Sequence, residues 1–167
     1  MADFVGNNPQ LTDEPYLADV ARVEWALHRC ASAADAVLRP ETLALLGTQE
    51  PEALWLQLAP GVSVLCSEWP VASIVLAHQV DSGVSLADAG QQLRDGAAQD
   101  ALVWRHGLRP RVRQTVAGET AFVSQLCQGN ALGPALDAAP DLDIQRWLTD
   151  AVQSGLLLAI ATAPAAI

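Results

Sequence analysis

The sequence ALVWRHGLRPRVRQTV occupies residues 101–116 and predicts the central element of the fold. An apolar run, Ala101–Arg105, and an arginine-rich run, Arg109–Val116, flank the dipeptide His106–Gly107. Glycine readily adopts the positive φ that a tight turn between antiparallel strands requires. We therefore predict a β-hairpin in this stretch.

Three amphipathic segments and one apolar segment follow this hairpin. The predicted helices are Glu119–Gln128, Leu132–Ala139 and Ile144–Ser154 (with Asp143 as its N-cap), and the predicted last strand is Leu156–Ile160. The order strand, strand, three helices, strand is that of a small winged-helix module, which we predict at residues 100–167. Such modules bind DNA through the third helix, or bind an extended peptide at a sheet edge.

The strongest helical pattern upstream of residue 100 begins near Pro15, which suits a first helical turn, with Thr12 or Asp13 as cap. Its apolar residues recur every three or four positions, as on one face of a helix. They are Tyr16, Val20, Val23, Leu27, Cys30 and Ala34. Residues 1–14 are predicted to be a tail ahead of this helix.

A second hairpin is predicted where apolar residues alternate at 54–58 and 62–66 around Pro60–Gly61. Short helices are predicted at Pro40–Leu46 and Val71–Gln79, and Asp81–Gln99 is predicted to be a surface connection with one helical turn. The fold class expected is α+β. An N-terminal helical and β-hairpin layer, residues 15–99, would pack on the C-terminal winged-helix-like module.

The composition predicts a folded and acidic protein. Of 167 residues, 51% are hydrophobic and 17% are charged, which provides a core and excludes disorder. The net charge is −10, and all nine basic residues are arginines. Because such a chain is repelled by polyanions, we expect neither nucleic acid nor a membrane as its partner.

Common signals for secretion, metal binding and catalysis are missing from the sequence. The first residues do not have the charge and apolar run of a signal peptide, and no apolar stretch is long enough to span a bilayer. Cys30, Cys66 and Cys127 are odd in number and widely spaced, as expected for reduced thiols in the cytoplasm. No metal-ligating histidine pair, nucleophile elbow, P-loop or dinucleotide motif occurs, so we predict no metal, cofactor or catalytic residue in this chain.

The arginines of the first predicted hairpin are candidate binding residues. Arg111 and Arg113 are two positions apart, so they share one face of a strand. The third predicted helix instead exposes Arg146 between Asp143 and Asp150, a poor set for reading phosphates or guanines. The arginine row suits an acidic peptide or partner, or it protects an edge strand from aggregation.

Several stretches, covering most of residues 15–160, resemble the HvfC/BufC family. PYLADVARVEWA at residues 15–26 resembles the signature helix of that family. VLCSEWPV at 64–71, LVWR at 102–105, and GETAF at 118–122 running into LGPAL at 132–136 fit the same family. The family has long been catalogued as carrying a DNA-binding domain.

The resemblance implies a non-catalytic partner subunit. Family members form heterodimers with multinuclear non-heme iron oxidative enzymes that modify cysteines in ribosomally made peptides, and they hold the leader segment of the precursor by strand addition. Iron is thus expected in the partner enzyme, with no cofactor in this chain. We nominate as peptide-binding residues Arg109, Arg111, Arg113, Thr115, Arg146 and Thr149. Region 15–99 would dock on the enzyme through Trp55 and Trp69, whereas Trp104 and Trp147 are expected in the core.

Two other classes of function stay open on the sequence. Full-length relatives carry a sizeable helical region ahead of the signature helix, of which Met1–Asp13 would be only a remnant. A partner subunit is therefore favoured over the alternative, a winged-helix transcriptional regulator. The third possibility is a small enzyme that uses Cys30 or Cys66.

Overall fold

The computed structural model describes residues 14–80 and 82–164. The α-helices are α1 (Leu17–Ala31), α2 (Val71–Ala77), α3 (Leu86–Arg94), α4 (Glu119–Cys127), α5 (Leu132–Asp137) and α6 (Ile144–Gln153), and 3-10 helices occupy Pro40–Gly47 and Pro51–Ala53. The strands are β1 (Trp55–Leu58), β2 (Ser63–Leu65), β3 (Ala101–His106), β4 (Arg109–Gln114) and β5 (Leu157–Ala161). The fold is α+β, as predicted, with small antiparallel sheets. The predicted tail, apart from its last residue, and its caps Thr12 and Asp13 lie outside the described residues.

The predicted central hairpin is present. β3 and β4 pair antiparallel from Ala101 opposite Gln114 to His106 opposite Arg109. The two-residue loop between them contains Gly107, whose φ is 60°. β2 pairs with the other edge of β3, so the strand order of this sheet is β2–β3–β4. β4 is therefore an edge strand.

The second predicted hairpin, at residues 54–66, is wrong. Both runs contain strands, but β1 pairs with β5, with Trp55 opposite Ala161, while β2 pairs with β3. Gly61, between the two runs, has a φ of 81° and packs against α1. Alternation of apolar residues indicates that a segment is half-buried in a sheet, but it does not indicate which strand lies beside it.

The three-stranded sheet lies between two apolar cores. On one face, Val103 and Val112 pack with residues of α1 and α2. On the other face, Leu102 packs with Phe122 of α4, Trp147 of α6 and residues of β1 and β5. Both cores combine residues from before and after residue 100, so the predicted regions 15–99 and 100–167 share their interior.

Arg105 of β3 fastens the end of α1 to the sheet. The buried guanidinium donates to the main-chain oxygens of Ala33 at 2.9 Å and Ala34 at 2.8 Å, and it forms an ion pair with Asp35 at 2.8 Å. Charge-assisted hydrogen bonds of this kind are among the stronger ones in proteins. α1 itself ends at Ala31, so the last residue of the predicted apolar stripe lies beyond the helix.

Residues 86–94 form a full helix, α3, where the sequence predicts one helical turn. Ser85 Oγ accepts from the Asp88 main-chain nitrogen at 3.1 Å, and the Asp88 carboxylate accepts from the Ser85 nitrogen at 3.3 Å. This reciprocal pair is a capping box. Hydrogen bonds from the side chain and backbone of Ser85 hold the pKa of Asp88 below its ordinary value. The helix is inconspicuous in the sequence because Ala89 is its one buried residue.

Gly61→Ala should destabilise the protein more than Gly83→Ala. Both glycines have positive φ, 81° and 75°, so alanine at either position incurs left-handed strain of about 1–2 kcal/mol. A Cβ at Gly61 would also lie 3.0 Å from Cys30 Cα and 3.0 Å from Ala33 Cβ, whereas a Cβ at Gly83 meets nothing within 4 Å. We expect a further loss of about 1–3 kcal/mol in Gly61→Ala alone, measured by urea unfolding. Equal losses would contradict the packing of this turn on α1.

Candidate functional site

A groove of about 700 Å³ lies between β4 and α6. We call it the β4–α6 groove. Residues that line it from the sheet and from α6 include Trp104, Arg113, Gln114, Arg146, Trp147 and Asp150. The groove therefore combines two indole rings with charged side chains of both signs.

Two contacts define the direction of α6 relative to β4. At the hairpin end, Trp104 Nε1 donates to the carbonyl oxygen of Ser154 at 3.0 Å. At the other end, Gly118 follows β4 and lies against Leu142, since a Cβ at Gly118 would be 3.0 Å from the Leu142 nitrogen. α6 therefore runs antiparallel to β4, and its N-cap, Asp143, lies near the end of that strand.

A buried carboxylate joins β4 to both flanking helices. Glu119, the first residue of α4, is 0% exposed. It accepts two hydrogen bonds from Arg113 at 2.6 Å each, one from Trp147 Nε1 at 2.6 Å and one from the Val116 nitrogen at 3.0 Å. Arg113 also lies over the Trp104 ring, 5.7 Å from its centroid. The charge of Arg113 is thus compensated within the protein.

Main-chain groups without a partner among the described strands line the outer edge of β4, although the Gln114 carbonyl oxygen accepts from Arg113 Nη1 at 3.0 Å. The Thr115 nitrogen donates to the Asp100 oxygen at 3.0 Å, which is on the β3 side of the strand. Because successive residues of a strand face opposite edges, Pro110, Val112 and Gln114 face outward. No described strand pairs with that edge. Pro110 fits this assignment, because proline lacks an N–H and is tolerated at sheet edges.

The four arginines nominated for peptide binding differ in their surroundings. Arg109 and Arg111 are exposed and have no side-chain partner among the described residues. Arg113 is committed to Glu119, as described above. Arg146 is exposed and lies 3.9 Å from the Asp150 carboxylate, a weak pair on the surface of α6. The structure brings Arg113 and Arg146 together in the β4–α6 groove, with Arg111 and Arg109 farther along β4.

The two nominated threonines already have hydrogen-bond partners. Thr115 Oγ1 accepts from Thr120 Oγ1 at 3.0 Å. Thr149 Oγ1 donates to the Gln145 carbonyl oxygen at 2.9 Å. Neither threonine lines the groove. The groove chemistry therefore comes from the arginines, aspartates and indoles.

Separate cavities lie beside the two tryptophans nominated for the enzyme interface. Trp55 donates from Nε1 to the Gly129 oxygen at 3.1 Å and lines a groove of about 980 Å³ beside β1. Trp69 precedes α2, with its ring centroid 6.4 Å from that of Tyr16, and lines a shelf of about 380 Å³. Both are half-buried, whereas Trp104 and Trp147 are core residues as predicted.

Several residues of potential function were not identified from the sequence. Glu119 resembles any acidic residue in a first helical turn, and its buried role depends on partners from two other elements. Asp141 and Asp143 gain significance only when α6 is placed beside β4. Trp25 is 47% exposed and stacks on His28 at 5.3 Å between ring centroids. The sequence indicates this exposure only in that Trp25 lies off the apolar stripe of α1.

Residues 14–80 and 82–164 contain neither a metal-binding cluster of side chains nor a membrane-spanning helix. Within those ranges, no three His, Cys, Asp or Glu side chains are grouped to hold a metal ion. No helix in the same ranges is both long enough and apolar enough to cross a membrane.

The cysteines do not resemble activated nucleophiles. All three are free, with Cys30 buried and Cys66 exposed. Burial raises the pKa of the Cys30 thiol, and partial desolvation together with the neighbouring Asp100 carboxylate raises the pKa of the Cys66 thiol. Since the thiolate is the reactive form, a raised pKa disfavours the hypothesis of a cysteine-dependent enzyme.

No family model, no curated protein and no solved structure matches this chain. The resemblance to the HvfC/BufC family therefore rests on the sequence stretches alone. The function is argued below from that resemblance and from the geometry of the β4–α6 groove.

Arg113→Met should destabilise the protein by about 3–5 kcal/mol, because it leaves the buried Glu119 carboxylate without its cation. Adding Glu119→Gln removes the buried charge, keeps an acceptor for Trp147, and should restore about half of that loss. Arg111→Met is the matched control, with an expected change below about 0.5 kcal/mol. Urea unfolding of the variants measures these differences. A loss in Arg113→Met no larger than that in Arg111→Met would contradict the role of the ion pair.

Proposed function

We propose that this protein is the non-catalytic partner subunit of a peptide-modifying oxidative enzyme, and that it binds the precursor peptide in the β4–α6 groove. The leader segment of the peptide adds as a strand to the outer edge of β4, facing α6. The protein presents the bound precursor to the enzyme in the cytoplasm, where the enzyme modifies the cysteines of the peptide.

The free edge of β4 is the observation that carries this proposal. Val112 directs its N–H and C=O outward and Gln114 its N–H, beside a groove large enough for side chains, whereas the Gln114 carbonyl oxygen accepts from Arg113. In strand addition, main-chain hydrogen bonds provide affinity, and pockets for alternate side chains provide selectivity. The indoles of Trp104 and Trp147 border such a pocket.

The order of elements supports a winged-helix-like recognition unit. β3 and β4 are followed by α4, α5 and α6, and α6 lies beside the edge strand. The third strand of the unit is β2, whereas β5, which the sequence predicts in this module, pairs with β1. We therefore assign peptide recognition to β2–β4 together with α4–α6.

DNA recognition is less well supported than peptide recognition. The third helix of a winged-helix DNA-binding module supplies side chains for phosphates and base edges. The exposed charged residues of α6 and its cap are Asp143, Arg146 and Asp150. The Arg146 guanidinium lies 3.9 Å from the Asp150 carboxylate. Two carboxylates on this surface repel phosphate, so the transcriptional-regulator alternative is not proposed.

We also propose that the iron and the oxidative chemistry belong to the partner, a multinuclear non-heme iron enzyme. The resemblance at residues 15–26 and 64–71 supports a docking surface on the α1 side of the molecule. These two stretches meet where the Tyr16 and Trp69 rings approach each other. α1 and α6 contact opposite faces of the central sheet, so an enzyme docked at α1 would leave the groove open.

Gln114→Pro should abolish binding of the precursor peptide while preserving the fold. Proline removes an N–H from the outer edge of β4 but leaves the pairing with β3 intact, and proline is tolerated at such edges. We expect at least a tenfold rise in Kd by fluorescence anisotropy with a labelled leader peptide. Gln114→Ala is the matched control and should bind like the natural chain. Equal affinities for the two variants would show that the peptide does not add to this edge.

Co-expression with a candidate multinuclear iron enzyme tests the partner role. We expect a stable one-to-one complex on size-exclusion chromatography, with iron in proportion to the enzyme chain. Trp69→Ala should weaken the complex, since aromatic side chains supply much of the binding energy of interfaces. Trp55, the other tryptophan nominated for the interface, lies beside a different cavity, so docking on the α1 side predicts no effect of Trp55→Ala. Elution of the two proteins as separate species would contradict the partner role.

A further inference from the structure

We infer that the β4–α6 groove selects the direction of its peptide by charge: a basic residue binds near Asp141 and Asp143, and an acidic residue about four or six positions later binds near Arg109 and Arg111. The inference rests on the proposed function, because it requires a peptide strand on the edge of β4. It differs from the expectation that the arginine row simply binds an acidic peptide.

The end of the groove near Gly118 is negative. Asp141 and Asp143 line the groove there and are both exposed. The contact between Gly118 and Leu142 places these carboxylates beside the end of β4. The positive end of the α6 dipole lies at the same place. It contributes about half a positive charge, which is less than the two negative charges of the carboxylates.

The middle of the groove is close to neutral. Arg113 is compensated by the buried Glu119 at 2.6 Å. Arg146 lies 3.9 Å from Asp150 on the surface of α6. Each arginine in this part of the groove is therefore accompanied by a carboxylate. The indoles of Trp104 and Trp147 border the same space, so this part suits an uncharged side chain.

The hairpin end is positive. Arg109 and Arg111 are exposed and have no carboxylate partner among the described residues. Arg111 lies opposite Trp104 in the sheet, and Trp104 contacts the end of α6 through Ser154. The negative end of the α6 dipole reduces this charge by about half a unit. Neither arginine lines the groove itself, so two positive charges lie just beyond its hairpin end, opposite the aspartates.

The order of the charges along the peptide follows from the direction of the added strand. The strand pairs of this sheet are antiparallel, and antiparallel pairing is slightly more stable per residue than parallel pairing. A strand added antiparallel to β4 begins at the Asp143 end and finishes at the hairpin end. Arg111 and Val116 lie five positions apart along the chain, which spans about 17 Å in extended backbone, and the same face of the added strand recurs near this distance at about four or six positions. The basic residue therefore precedes the acidic one.

Selection of random peptides of about twelve residues, displayed on phage and captured on the immobilised chain at low salt, tests the inference. We expect enriched peptides in which Lys or Arg precedes Asp or Glu by about four or six positions. The charge-exchanged variant Asp141→Lys/Arg111→Glu leaves one charge of each sign at each end, so it should enrich peptides without this charge order. Both residues are exposed and make no side-chain hydrogen bond within the described residues.

A selected peptide and its isomer with the two charged residues exchanged give a second measurement, which does not depend on the folding of the variant. The isomer should bind the natural chain about tenfold more weakly at low salt, and the difference should shrink at high salt. Equal affinities of the peptide and its isomer would overturn the inference and leave the proposed function standing. The same conclusion would follow if the enriched peptides lost binding in Gln114→Pro but showed no order of charges. Failure to enrich any peptide sensitive to Gln114→Pro would overturn both.

Discussion

The buried carboxylate of Glu119 is the interaction on which the arrangement of hairpin and helices depends. A carboxylate removed from water loses several kcal/mol of solvation unless donors replace it. Here the donors come from β4, from the turn after it and from α6, through Arg113, Val116 and Trp147. Because one carboxylate requires all of them, α4 and α6 are held at a fixed distance from the edge strand, and the β4–α6 groove has a defined width.

The parts of the fold that could be predicted are those set by neighbours in the sequence. The central hairpin follows from a glycine turn between two runs, and α4, α5 and α6 follow from local apolar spacing and caps. The pairing of β1 with β5 could not be predicted, because the alternation that identifies each strand contains no information about a partner far away in the chain. α3 was underestimated for a different reason. This helix begins at the capping box of Ser85, and it buries too few apolar residues to give a clear periodic pattern in the sequence.

The site could be predicted less completely than the fold. The sequence placed arginines on the hairpin and a helix opposite them, and both are found beside the groove. It could not distinguish Arg113 from Arg111, because the difference is a buried carboxylate on the next helix that compensates only the former. The signs of the charges at the two ends of the groove likewise depend on the antiparallel placement of α6, which rests on contacts such as Trp104 with Ser154.

The pairing of β1 with β5 also constrains the order of events during synthesis. The two strands lie about a hundred positions apart, so at ordinary translation rates β1 leaves the ribosome about 5–20 s before β5 exists. During that interval the pairing groups of β1 have no native strand partner, while the β3–β4 hairpin and the helices after it can form locally. The newly made chain is therefore open to pairing with other nascent chains. Slow, cool expression with chaperones present favours recovery of the folded protein.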